Sequence, residues 1–197
     1  MNNSASATTD LLETVLADLE LIIGGVATAQ LADPTPCSEW NVEQLRDHIL
    51  GWLTNFAAGL ADPEGKAPNA DVGAYRAPAD PAQAARSAAD LLLKAVRAGA
   101  ADRPLWLGEN AMPGELALGL ILWEYQVHGW DLARATGQTW SPPPAASEES
   151  LQFAPAMLND DFQGEGKAFG RRVAVPAKAA PLDQLLGLSG RDPSWAS

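Results

Sequence analysis

The chain has 197 residues, 47% of them hydrophobic, which is enough for one domain with a substantial core, so it should fold. Its formal net charge of −12 repels phosphate backbones and sets nucleic-acid binding aside. A lone cysteine, Cys37, excludes an internal disulfide; no apolar run reaches the ~18 residues of a membrane span; and the opening MNNSASATTD lacks a signal peptide's basic and apolar regions.

These bounds predict a cytoplasmic protein with no membrane contact and one domain over residues 1–197. Abundant Ala, Leu and acidic residues, with few strand-type runs, predict an all-α class. Residues 1–8 are polar and read as a frayed end. Asp10 and Glu13 have capping-box spacing. Leu12, Val15, Leu16, Leu19, Ile22, Ile23 and Val26 then recur at helical spacing, which predicts a first helix over 10–30. After the turn-rich DPTPCSEW, Asn41 and Gln44 mark a second cap, and an apolar stripe from Val42 to Leu60 predicts a helix over 41–61. Residues 62–79 read as a surface loop. Asp80-Pro81 opens a third helix that Gly99 ends. Residues 100–113 read as an irregular connector. From Glu115 to Ala135 the chain is apolar on nearly every side, so this helix should be buried by several neighbours and end at Gly137. Ser147 is the expected cap of a shorter helix over 147–159. In the tail, 160–197, RRVAVP reads as a short strand or extended edge and PLDQLLGLSGRDPSW as a helical turn. The whole is a four-helix bundle, with its core over 9–137 and a C-terminal extension over 143–197.

The chain holds two histidines. His48 lies three residues after Leu45 and four before Trp52, on the inward face of the second helix. His128 follows Glu124 by four residues; at ~100° per residue their directions differ by only ~40°. Three metal-type ligands can therefore converge inside the bundle. Two imidazoles and a carboxylate form a catalytic zinc set with one open position. The same set suits ferrous iron, nickel or manganese. A buried glutamate needs a positive partner, and a divalent cation is one. The plainer reading of Glu-x-x-x-His is a hydrogen-bonded pair. Asp131 reads either as an acceptor that orients a ligand or as the partner of Arg134 or of another helix. Trp52 reads as a wall of the site or as core, and Trp123 and Trp130 as packing. Cys37 sits just before a helix N-terminus, where a thiol is activated, but has no adjacent base. Arg76, Arg103, Arg171 and Arg172 are candidate anchors for a carboxylate.

Two stretches carry a resemblance. DPTPCSEWNVEQLRDHILGW, residues 33–52, and WEYQVHGWDLARATGQ, residues 123–138, resemble the DinB-like, mycothiol-dependent maleylpyruvate isomerase N-terminal family of actinobacteria. Its pattern is a PTPC turn, a Trp and a helical His, then Glu, three residues and His-Gly-Trp-Asp-Leu-Ala-Arg-Ala-Thr-Gly. The closing LSGRDPSW, residues 188–195, is similar to the terminal signature of a small single-domain subfamily. The resemblance implies a DinB-like bundle holding a divalent metal, usually zinc, on His48, Glu124 and His128. It also implies a small-molecule substrate and a low-molecular-weight thiol such as mycothiol, used for S-transfer or isomerisation of a small electrophile. Full isomerases carry a further C-terminal domain related to sterol carrier proteins, and the residues after 140 are too few to complete one. The alternatives are a metal-dependent hydrolase that activates water and a non-enzymatic metal-binding or stress protein. Apolar helices of this kind pair, so the expected state is a homodimer.

Overall fold

The computed structural model describes residues 3–158, 163–164 and 170–196. In chain order the elements are α1 (Asn3–Gly24), α2 (Val42–Ala61), α3 (Pro81–Arg97), β1 (Leu105–Leu107), β2 (Asn110–Met112), α4 (Gly114–Ala135), α5 (Pro144–Met157) and α6 (Pro181–Leu188). The class is all-α and the architecture a DinB-like bundle. Helix α3 packs against α1 and α2, α4 closes on α1 and α2, α5 covers α4, and α6 packs on α5. No helix among the described residues is long and apolar enough to cross a membrane.

Helix α2 begins where its sequence dictates. Asn41 Oδ1 accepts from Gln44 N at 2.9 Å, and Gln44 Oε1 accepts from Asn41 N at 3.0 Å, a complete capping box. Asp80 caps α3 through Gln83 N at 3.0 Å, with Pro81 at the first helical position. Gly99 follows α3 at φ 95°, a conformation that favours glycine. Helix α4 is the central element: Ala117, Leu118, Ile121, Leu122, Trp123, Tyr125 and Leu132 are all buried, on every side of the helix. Fully burying side chains of this size contributes roughly 1.5–3 kcal/mol each. Gly129 lets α4 approach Trp140, because a Cβ there would stand 2.4 Å from the indole.

The boundaries of α1 differ from the expected 10–30. The helix starts at Asn3 rather than Asp10, so Asp10 is an interior residue and not a cap. Thr8 bonds Glu149 of α5, and Thr9 Oγ1 donates to Ala5 O at 2.5 Å. Contact with a helix 141 residues away orders the polar turns read as frayed. At the other end, Gln138 Nε2 takes the Ile22 carbonyl at 2.9 Å, and α1 stops at Gly24. Only a short 3-10 turn, Thr28–Gln30, follows.

The connector read as irregular over 100–113 contains an antiparallel hairpin pairing Leu105 with Met112 and Leu107 with Asn110. It is zipped to the preceding loop, where Trp106 N donates to Gly65 O at 2.8 Å and Ala67 N to Trp106 O at 2.9 Å. Helix α5 starts at Pro144, three residues before the expected cap. Ser147 Oγ is occupied in donating to Gln126 Oε1 of α4 at 2.7 Å. The expected end of that helix, residue 159, lies outside the described residues, as do 160–162 and 165–169 of the tail. RRVAVP is extended without forming a strand, held by Val173 N donating to Gly187 O at 2.9 Å.

Candidate metal centre

The capped start of α2 fixes the rotation of that helix, and His48 falls on its inward side. Its ring stacks on Trp40, with centroids 4.1 Å apart. From α4, Glu124 and His128 point into the same space. Glu124 Oε1 lies 3.3 Å from His48 Nε2 and 3.3 Å from His128 Nε2. One ligand atom from each of the three lies within 4.8 Å of the other two. The structure thus brings together the three residues singled out by spacing.

Asp131 decides what His128 can offer. It is fully buried, and His128 Nδ1 donates to its Oδ2 at 3.0 Å. A carboxylate only accepts, so Nδ1 carries the proton and Nε2 turns its lone pair towards Glu124 Oε1. Two acceptors at 3.3 Å repel unless a positive charge stands between them. In the ion-free protein a proton fills that role. Burial alone would lower the His128 pKa, but the Glu124 charge and the bonds to Asp131 and Glu124 raise it to about 9. Burial pushes Glu124 upward, yet His128 and His48 hold its carboxyl well below the usual carboxylate range. His48, Glu124 and His128 could together hold a metal ion.

The partner of Asp131 from beyond the core is Arg191, not Arg134. Arg191 Nη2 donates to Asp131 Oδ2 at 3.0 Å and its Nε lies 3.2 Å from the same oxygen, while Nη1 donates to Ser189 O at 3.0 Å. Arg134 Nε instead donates to Trp195 O at 2.8 Å. Asp131 thus bonds the His128 imidazole and, in place of the expected Arg134 or another helix, the segment after α6. Ser189 is anchored in turn by Trp123 Nε1 at 2.9 Å, so the segment after α6 is fixed to the wall of the site.

A cavity of about 230 Å³ opens in front of the three side chains, walled chiefly by Trp40, Trp52, Phe56, Leu120, Trp123 and Val127. A second, more polar cavity of about 380 Å³ lies across Trp40 and His48, bordered by Asn41, Gln44, Asp47, Tyr75 and Arg76. Cys37 lines the first cavity, but burial pushes its thiol up to about 11, against the activation expected from its place before a helix. Arg103 is spent on the carbonyls of Pro63, Ala100, Leu60 and Asp62. Arg172 bonds Gln163 and Leu158 O, and Arg76 bonds Gly73 O and Tyr75 O at the rim of the second cavity. Neither Arg103, Arg171 nor Arg172 borders the first cavity. Sequence reasoning missed Trp40 and Arg191 as site residues, although both lie in the stretches DPTPCSEW and LSGRDPSW that drew attention for other reasons.

Comparison with known proteins gives one family and two relatives. The profile described as "Mycothiol maleylpyruvate isomerase N-terminal domain" matches residues 12–133. An uncharacterized protein of Mycobacterium tuberculosis strain H37Rv and another of strain CDC 1551 are each 34% identical over 173 residues, covering 86% of this chain and 90% of theirs. No solved structure gives a significant match.

Proposed function

The chain belongs to the mycothiol maleylpyruvate isomerase N-terminal domain family, and on that footing we propose that it is a metal-dependent enzyme of thiol chemistry. His48, Glu124 and His128 hold one divalent ion, zinc first. A low-molecular-weight thiol is activated there for S-transfer to, or isomerisation of, a small electrophile. The observation that carries this reading is a length. The two Nε2–Oε1 separations are both 3.3 Å, long for a hydrogen bond between nitrogen and oxygen. Four ligands at zinc distances in a tetrahedron stand ~3.3 Å apart. Two of the three separations match that edge, which supports the metal reading, and the third lies within 4.8 Å.

When bound, such an ion lowers the pKa of a thiol or water at its remaining position. The protein's own residues do the rest. Asp131 fixes the His128 tautomer and, through Arg191, is itself held still; such outer partners are worth about 10–100-fold in metal affinity. Trp40 braces His48. The apolar chamber excludes water from the reacting sulfur, which favours an organic electrophile over hydrolysis. The polar cavity beyond Trp40 offers hydrogen-bonding groups to the body of the thiol. In isomerisation, the S–C bond that forms at an electron-poor double bond breaks again after rotation and the thiol is returned. In S-transfer the bond is kept and the thiol proton passes to the substrate or its leaving group.

The test is elemental analysis of untagged protein never exposed to chelator, beside Glu124→Ala and His128→Ala. About one divalent ion per chain, lost in both variants together with thiol-dependent turnover, is the expected result. Turnover by a metal-free variant would sink the mechanism, and turnover without thiol would favour the hydrolytic alternative.

A further inference from the structure

The chamber in front of the candidate metal centre has a charge inventory that narrows its second substrate. Two carboxylates, Glu124 and Asp131, are met by one buried guanidinium, Arg191, which lines the chamber but has its Nε and Nη2 engaged by Asp131 and its Nη1 by Ser189 O. With a divalent ion on the ligands proposed above, a single positive charge is left over. One thiolate neutralises it. Any further anion enters a buried site with no charge to meet it, a costly arrangement. The remaining walls offer none. Cys37 stays a neutral thiol, because burial holds its pKa near 11. At the rim stands Glu39, exposed and negative. The other lining groups named above are aromatic or aliphatic, with Trp40, Trp52, Phe56 and Trp123 supplying rings.

Size agrees with chemistry. The chamber measures about 230 Å³. An apolar cavity of ~150 Å³ accommodates benzene, so a single substituted ring fits here and a large polar molecule does not.

We propose that this chamber takes a compact, uncharged, apolar or aromatic electrophile and rejects carboxylates. The inference rests on the thiol-and-metal reading for its charge count. It separates this chain from its family's namesake, since maleylpyruvate is a doubly charged acid.

The experiment uses nitrobenzene and benzoate, which match in shape and differ in charge. The full chain is loaded with zinc, saturated with 2-mercaptoethanol so that the open position is filled, and titrated with each probe by calorimetry. Nitrobenzene should bind at least tenfold more tightly than benzoate. Leu120→Arg, which places a cation in the chamber wall, should reverse that order while retaining zinc. Equal or tighter binding of benzoate by the unaltered protein would overturn the proposal. So would failure of nitrobenzene to bind, or nitrobenzene binding that Leu120→Arg leaves unchanged. Zinc content is read separately. A chain that takes no zinc refutes the metal reading, and the same pair of probes, run on that ion-free protein, still tests the chamber's preference, because Trp52, Phe56, Leu120 and Trp123 line it unchanged.

Discussion

On the outer face of the bundle, Arg86 of α3 pairs with Glu20 of α1 and Arg97 pairs with Glu13, in contact with water. Inside, between α2, α4 and the segment after α6, His48, Glu124, His128, Asp131 and Arg191 form a continuous chain of polar contacts. The outer pairs close to ordinary contact, with Arg86 Nε 3.0 Å from Glu20 Oε1 and Arg97 Nη2 2.6 Å from Glu13 Oε2. The inner one is tightest at Asp131, where the shortest contacts to His128 and Arg191 are 3.0 Å and the Arg191 Nε contacts 3.2 and 3.3 Å, and both contacts at Glu124 are 3.3 Å. Water can satisfy an exposed charge whatever its partner does. A fully buried charge such as Asp131 has only what the fold supplies, whereas Glu124 and His48 also face the cavity. The surface pairs align helices. The inner cluster raises the His128 pKa to about 9 and holds the Glu124 carboxyl below the usual carboxylate range.

Removing Asp131 should break this contrast most severely. Asp131→Ala strands the Arg191 guanidinium in a site where its exposure is 7% and frees the His128 ring. Breaking one side of a buried pair typically costs about 3–5 kcal/mol. Urea unfolding should show a loss of that size. The double change Asp131→Leu with Arg191→Met should recover most of it, because apolar residues can replace a buried pair without an orphaned charge. Zinc affinity should not recover, since the tether on His128 Nδ1 is still missing. Recovery of both would reduce Asp131 to packing.

A milder probe is pH. In ion-free protein the His128 pKa is raised from 6.5 to about 9 by its carboxylate neighbours. A group whose folded pKa lies above its unfolded value stabilises fully below the unfolded value, and that contribution is lost as pH rises through the folded one. Ion-free protein should therefore weaken between pH 6.5 and about 9, by on the order of 3 kcal/mol. Glu124, with its pKa lowered, works the other way: its contribution is present above the ordinary carboxylate range and fades only in strong acid. Chemical unfolding across pH 6 to 10 checks this. The loss should vanish in His128→Gln and in zinc-loaded protein, where no proton is needed. An unchanged slope in His128→Gln would assign the effect elsewhere.

These contrasts also show what could be read from the chain. The ends of α2, α3 and α4 were legible because their signals are local: Asn41 with Gln44, Asp80 with Pro81, Gly99 and Gly137. The starts of α1 and α5 were not, because Thr8 and Ser147 are held by Glu149 and Gln126 from other helices. The same division runs through the site. His48, Glu124 and His128 sit on regular helices, where spacing fixes direction. Trp40 comes from a turn whose path depends on the bridge between Pro34 and Asn41 and on Thr35 reaching the Trp40 carbonyl at 2.8 Å. Arg191 arrives from 60 residues beyond Asp131, and no periodicity links them.

The smallest effect should come from the outer pairs. Arg86 and Arg97 have raised pKa values, chiefly through their hydrogen bonds to Glu20 and Glu13. Both guanidinium groups are bathed in solvent, however, where attraction is screened and holding two long side chains in place costs entropy. Arg86→Ala and Arg97→Ala should leave the urea midpoint nearly where it was, and raising salt to 1 M should reduce even that small difference. Asp131→Ala should be indifferent to the same salt, because no counterion reaches a carboxylate with zero exposure. Equal salt sensitivity at both places would mean that the buried cluster opens to water in solution. The 3.3 Å gaps at Glu124 would then reflect a hydrated site rather than one shaped for a metal.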